Sequence, residues 1–294
     1  MGLTELRLRD VALAVEPGRP LVMGIVNANP DSFSDAGQHP DKVALGLQLI
    51  EEGADILDVG GESATTKRPP VPADEEIARV VPVVEALAER GALVSVDTYK
   101  PEVAEAAVAA GAVMVNDVSG LRDAALADVC ARTGAALVLM HTRAAPKERL
   151  QDPDRYDDVV ADVVEFLRER MELARSRGVA DEQLVLDPGP DFAKTPAQTI
   201  ALLRRLDELR ALGRPLLLAV SRKDFIGALT RRAPRERLAG TLAALDWGVE
   251  HGAAILRVHD VRDAADFLAV RAALRGDADV PRELKLTEDI RLQR

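Results

Sequence analysis

Eight short apolar runs constrain this chain most, each followed by a polar stretch and then a segment with helical spacing. The runs are PLVMGIV (20–26), DILDVG (55–60), ALVSV (92–96), AVMV (112–115), ALVLM (136–140), LVL (184–186), PLLLAV (215–220) and AILRV (254–258). Each has the length of a strand. Segments between them, such as DEEIARVVPVVEALAER, KPEVAEAAVAAG and YDDVVADVVEFLRERMELARSRG, repeat apolar residues at helical spacing. Pro101 fits just inside a helix start, and Gly111 and Gly178 sit where helices should stop. Strands alternating with helices predict a parallel sheet covered by helices. Eight strands close a (β/α)8 barrel, and 294 residues suit one. An open doubly wound sheet is the alternative at this level. The expected organisation is one α/β domain over residues 1–294, with the barrel at about 20–275, a hairpin from LRLRDVALAV beneath it, and a charged tail at 276–294.

Composition narrows the partners. A net charge of −11 argues against nucleic acid and anionic membranes, and 3% aromatic residues leave little to stack single-stranded bases. No apolar run approaches the length a bilayer needs. The opening MGLTELRLRD is charged early and lacks an apolar signal core, so the expected location is the cytoplasm. The single Cys130 rules out an intrachain disulfide and a cysteine metal cluster, and it reads as a small buried apolar residue. An anionic substrate would have to be met by a local cluster of cations.

A barrel takes its chemistry from the C-terminal ends of its strands. There the runs lead into Asn27, Glu62 and Ser63, Asp97, Asn116 and Asp117, His141, Asp187, then Ser221, Arg222 and Lys223, and finally Arg257, His259 and Asp260. Asp97, Asn116 and Asp187 combine donors and acceptors suited to a flat heterocycle with N–H groups along its edge. Each taken singly reads more readily as a turn or helix-cap residue. Arg257 and His259, expected on alternate sides of an extended chain, could clamp a phosphate with Lys223 opposite. Four scattered histidines do not suggest zinc. A Mg²⁺ carried in by a polyphosphate and touched by Asn27 fits oxygen-ligand preferences better. The GGESATTKRPPVP loop is either a plain connection or a lid over a barrel mouth.

Taken in order, MGIVNANPDSFSDAG, GADILDVGGES, SVDTYKPEVAEAAVAAGAVMVNDVSG, LVLMH, LVLDPG, SRKDFIG and ILRVHDV resemble the dihydropteroate synthase family from about Val22 to Ala272. The resemblance implies a (β/α)8 barrel that joins 6-hydroxymethyl-7,8-dihydropterin pyrophosphate to p-aminobenzoate and releases pyrophosphate. It implies that Asp97, Asn116, Asp187 and Lys223 hold the pterin, with Met140 and Phe192 along the pocket walls. Asn27, Arg257 and His259 would bind the pyrophosphate and its Mg²⁺. Ser63 and the loop after it would close over the reacting centre, with Arg222 toward the p-aminobenzoate side. Asp97, Asp187, Lys223 and Arg257 are the implied catalytic groups. The family is typically dimeric, which implies a homodimer. Related pterin-binding barrels that transfer methyl groups share the Asp/Asn/Asp pocket without needing the SRK and RVH cations, both of which are present here. A pterin-binding protein without catalysis is a third class.

The chain departs from the family pattern in four loops. Asn29 replaces a threonine and Ala36 a glycine. ESATTKRP is longer than the family's Glu-Ser-Thr-Arg-Pro, so Arg68 takes the arginine's place only if the loop folds to bring it there. DPGPDFAKT stands for Asp-Pro-Gly-Ile-Gly-Phe-Gly-Lys-Thr. Asp224 stands where a serine helps receive the p-aminobenzoate carboxylate, and like charges there repel. Three readings follow: Asp224 pairs with a neighbouring arginine while Lys67 or Arg68 receives the carboxylate, the acceptor is another amine, or the chain is a paralogue with weak or no synthase activity. Reduced sulfonamide sensitivity is a fourth expectation.

Overall fold

The computed structural model describes residues 4–16, 18–29, 41–62, 69–287 and 291. Two strands, β1 (Thr4–Leu8) and β2 (Val11–Val15), pair antiparallel. The barrel strands follow: β3 (Leu21–Asn27), β4 (Ile56–Gly60), β5 (Val94–Asp97), β6 (Met114–Asp117), β7 (Ala136–Met140), β8 (Leu184–Asp187), β9 (Leu216–Leu218) and β10 (Ala253–Val258). They close as β10-β3-β4-β5-β6-β7-β8-β9, with parallel neighbours throughout. This is the closed barrel, and the open doubly wound alternative is set aside. The covering helices include α1 (Lys42–Glu51), α2 (Ala73–Ala88), α3 (Pro101–Ala109), α4 (Ala125–Thr133), α5 (Val159–Ser176), α6 (Pro196–Arg204), α7 (Asp224–Thr230), α8 (Leu238–Glu250) and α9 (Val261–Arg275).

Local signals explain the boundaries. The Asp41 carboxylate caps α1 by accepting from Val43 N at 2.9 Å and Ala44 N at 3.0 Å, and Asp158 does the same for α5. Pro101 opens α3, and Gly111 follows its end at φ +114°.

Strand periodicity divides the barrel into two compartments. One set of alternate residues, including Val22, Leu57, Val96, Val115, Leu139, Leu186 and Leu256, packs with the helices in the larger core. The other set faces the barrel interior. Its lower part, Met23, Ile56, Met114, Val138, Val185, Leu217 and Ile255, joins Leu6, Leu8 and Val15 of the hairpin in a second buried cluster. The hairpin therefore plugs the N-terminal end of the barrel, as its alternating sequence foretold. Cys130 is buried among apolar neighbours in the outer core. Residues 276–287 are almost wholly exposed and carry no helix or strand.

Candidate active site

Two residues further along the same inward faces, the interior changes from apolar to polar. Above Ile56 and Met114 come Asp58 and Asn116, and β5, β8 and β10 contribute Asp97, Asp187 and Arg257. The Asp58 carboxylate is fully buried and accepts from Arg257 Nε at 2.6 Å and Asn116 Nδ2 at 3.0 Å. Arg257 Nη2 reaches Asp97 at 2.7 Å, so one guanidinium holds two carboxylates. Burial raises the Asp97 carboxyl to about 7, with Arg257 pulling it down and Asp58, Glu76 and Asp117 adding to the rise. Burial also raises Asp187 and lowers Lys223, and each of these two charges restrains the other's shift. Acceptor capacity is left over in this layer: Asp58 Oδ1 and Asn116 Oδ1 are buried without a hydrogen-bond partner.

A cavity of about 690 Å³ opens above this layer. Its lining includes Asn27, Asp97, Asn116, Met140, Asp187, Phe192, Arg222, Lys223, Asp224, Arg257 and His259, so the structure brings these sequence-predicted residues together. Ser63 and Arg68, with Lys67, lie outside the described residues. Arg257 and His259 share the cavity side of their chain, because residues two apart on an extended backbone face the same way. This corrects the expectation of alternate sides. Lys223 Nζ sits 4.1 Å from the centre of the Phe192 ring, a cation–π contact across the mouth. Ser221 Oγ accepts from His259 N at 3.2 Å and lies 3.0 Å from His259 Nδ1, which ties β10's exit to β9's.

The stretch VSRKDFIG owes its shape to Arg237. Arg222 lies at φ +60°, and Arg237 Nη1 donates to its carbonyl at 2.8 Å and to that of Lys223 at 3.0 Å. The same nitrogen reaches Asp224 Oδ1 at 3.0 Å. A Cβ on Gly227 would stand 2.2 Å from Arg237 Nη2, so only glycine leaves the guanidinium its place. Asp224 is the first residue of α7, where a carboxylate favours the helix end. Its pairing with a neighbouring arginine is the first of the three sequence readings. Arg222 itself turns to Asp260, with Nε at 3.1 Å.

Several groups at the strand ends serve structure instead. Asp117 accepts from Ser119 N at 2.7 Å and from Leu121 N, the turn role weighed for such residues. Asn29 is buried and accepts from Arg79 at 3.1 Å. Glu62 is gripped by Lys100 at 2.5 Å and Lys147 at 2.9 Å, which hold its carboxyl below the ordinary value against burial.

Sequence reasoning passed over Asp58, which lies inside the apolar run DILDVG. The signal was present: a charge at an inward position of a closed barrel has to meet another side chain inside. Asp191 and Lys194 were also missed, because the partners that tie them to other elements, Phe225 and His141, are 34 and 53 residues away.

As a candidate metal site, the donor set is thin. Among the described residues there is no group of three or more His, Cys, Asp or Glu able to hold an ion. Asn27 offers a single carboxamide oxygen at the cavity wall. That fits an ion whose remaining ligands are phosphate oxygens and water, and it does not fit a resident metal centre.

A closed (β/α)8 barrel with a deep, charged pocket at the C-terminal ends of its strands is the class the fold and site define. The chain belongs to the family of pterin-binding enzymes, whose model matches residues 23–259. It is 41% identical to the dihydropteroate synthase of Escherichia coli over 261 residues, covering 87% of this chain and 92% of that one. Among solved structures, it resembles the Xanthomonas albilineans dihydropteroate synthase bound to 4-aminobenzoic acid, with 46% identity, a TM-score of 0.84, and coverage of 95% and 100% of the two chains. The same enzyme in complex with 7,8-dihydropteroate matches with 43% identity, a TM-score of 0.79, and coverage of 94% and 99%.

Proposed function

We propose that this chain is a transferase that condenses 6-hydroxymethyl-7,8-dihydropterin pyrophosphate with p-aminobenzoate, giving 7,8-dihydropteroate and pyrophosphate in folate biosynthesis. The relatives named above support the activity. The observation that carries the reading in this chain is the inner polar layer, where Asp58 accepts from Arg257 and Asn116 and the same guanidinium reaches Asp97, beneath a cavity whose lining adds Asp187 and Lys223.

In this reading Asp97, Asn116 and Asp187 accept the N–H groups of the pterin edge, and Lys223 donates to it, with Met140 and Phe192 as apolar walls. Arg257, His259 and Asn27 face the diphosphate. Asn27 would also hold Mg²⁺, which neutralises leaving-group charge when bound with the diphosphate. The methylene C–O bond breaks with its electron pair going to pyrophosphate, and the carboxylates of Asp97 and Asp187 favour the positive charge left on the pterin. The aniline nitrogen forms the new C–N bond and loses its proton. No covalent enzyme intermediate is required. Arg222, Ser63 and Arg68 are assigned to the acceptor side, together with Asp224 in its Arg237-paired form.

A homodimer and a cytoplasmic location belong to the same proposal. Val270 and Leu274 on α9 are 60% and 83% exposed and line one surface groove with Phe267 and with Leu242 of α8, an apolar face that a second copy would cover. Among the described residues no helix is long and apolar enough to cross a membrane. The highly charged pterin substrate does not cross membranes unaided, which supports the cytoplasm.

The test is to incubate the protein with the dihydropterin pyrophosphate and Mg²⁺, with and without p-aminobenzoate, and follow pyrophosphate and dihydropteroate. Dihydropteroate formed only with p-aminobenzoate is the expected result. Pyrophosphate release without coupling would favour a different amine, the second reading, which the exposed carboxylate of Asp224 keeps in view.

A further inference from the structure

The loop from Asp187 to Lys194 carries Phe192 across the cavity, and its backbone is under strain. Gly189, Asp191 and Ala193 lie at φ +65°, +64° and +51°. Asp191 and Ala193 stand where the family pattern has glycine, so this chain holds two side chains in a conformation they disfavour. A Cβ on Gly189 would stand 2.1 Å from His141 O, which shows how closely the loop is pressed onto the end of β7. Something must hold it.

Lys194 is fully buried beneath this loop, and the reaction above makes no use of it. Its ammonium donates to Gly189 O at 2.9 Å, Phe192 O at 3.1 Å and His141 Nδ1 at 2.7 Å. Burial lowers the Lys194 amine to about 7, and in its protonated form each of the three N–H groups has a partner. His141 completes the relay. Its Nδ1 accepts from Lys194, so its Nε2 carries the proton and donates to Asp162 Oδ1 at 2.8 Å. Asp162 is fixed in turn by Arg143, with Nε at 3.0 Å and Nη2 at 2.8 Å. Two further bonds clasp the loop: Tyr156 Oη donates to Ala193 O at 2.9 Å, and Asp191 accepts from Phe225 N at 3.1 Å.

We propose that Lys194 is a positioning residue for the pterin side of the cavity: by gripping the carbonyls of Gly189 and Phe192, it holds the strained loop in the shape that sets Phe192 and Asp187 against Lys223. It touches no substrate. The inference rests on the reading of this cavity as a pterin site, and it deepens that reading.

Lys194→Met keeps the apolar stem and removes the three donors, while Lys194→Gln restores two. Calorimetric titration of parent and variants with 6-hydroxymethylpterin, and separately with inorganic pyrophosphate and Mg²⁺, tests the proposal, with thermal unfolding followed in parallel. Folded Lys194→Met should bind the pterin at least tenfold more weakly and pyrophosphate within twofold of the parent, with Lys194→Gln in between. A merely structural role would weaken both ligands alike, and that result, or an unchanged pterin affinity, overturns the proposal. Should Lys194→Met fail to fold, the same split in Lys194→Gln decides the matter. Failure of the parent itself to bind the pterin overturns the functional reading, and the inference with it.

Discussion

The Arg237 guanidinium meets the Asp224 carboxylate at 3.0 Å while gripping the carbonyls of Arg222 and Lys223. A carboxylate at the mouth of a site for an anionic acceptor is thereby partly neutralised, and the loop that presents Lys223 is fixed by the same group. Arg237→Ala should raise the KM for p-aminobenzoate about tenfold, because it removes both effects. Asp224→Ser should lower that KM by only about threefold, since the carboxylate is well exposed and exposed pairs are worth roughly 1 kcal/mol or less. Steady-state kinetics on both variants checks the asymmetry.

Sulfonamides that mimic the acceptor meet the same carboxylate. The parent should be inhibited less strongly than the Escherichia coli relative, and Asp224→Ser should recover part of the difference. Equal inhibition constants for all three proteins would remove this expectation.

Asp58 holds Arg257 from the buried side. Asp58→Asn keeps the size and removes the charge. Removing one partner of a buried ion pair costs about 3–5 kcal/mol, and because Asp97 remains as a second partner, a loss of about 2 kcal/mol is expected. With Arg257 displaced, kcat/KM should fall about 100-fold. Denaturant unfolding and initial rates separate the two effects.

The carboxyl of Asp97, raised by burial from an ordinary 3.8 to about 7, makes a signed prediction. The folded chain holds this proton more tightly than the unfolded chain does. Its contribution to stability is therefore fully present below about pH 4 and is lost as the pH rises through about 7. Pterin binding runs the other way, since only the carboxylate accepts the ligand's N–H. The affinity should rise between about pH 6 and 8 and then level. Asp97→Asn should flatten both curves, read by thermal unfolding and by titration.

Leu8 is fully buried in the plug at the opposite end of the barrel from the cavity. Leu8→Ala should cost about 2–5 kcal/mol of stability and leave KM for both substrates within twofold. Urea unfolding and steady-state kinetics test the separation of plug from site.

Much of the architecture was legible because its causes are local. Strand-length apolar runs, helical spacing, Pro101 and Gly111 specify elements through backbone sterics and short-range hydrogen bonds. The polar residues at strand ends followed from the rule that a barrel's chemistry sits at one face, and among them Asn27, Asp97, Asn116, Asp187, Lys223, Arg257 and His259 do line one cavity. Asp58 escaped because a charge within an apolar run has no local meaning until the strand's inward face is known. His141 and Asp117 read as strand-end candidates, yet their side chains are spent on Lys194, Asp162 and a turn.

By itself, then, the sequence determined the order and kind of the elements, the polar residues into which the apolar runs lead, and the family. Only the tertiary structure decided which charges meet: Arg257 with Asp58 and Asp97, Arg237 with Asp224, and Lys194 with His141. These partners are between 13 and 199 residues apart along the chain. Electrostatic and hydrogen-bond energies depend on distance in space and on burial, and neither exists until the barrel has closed.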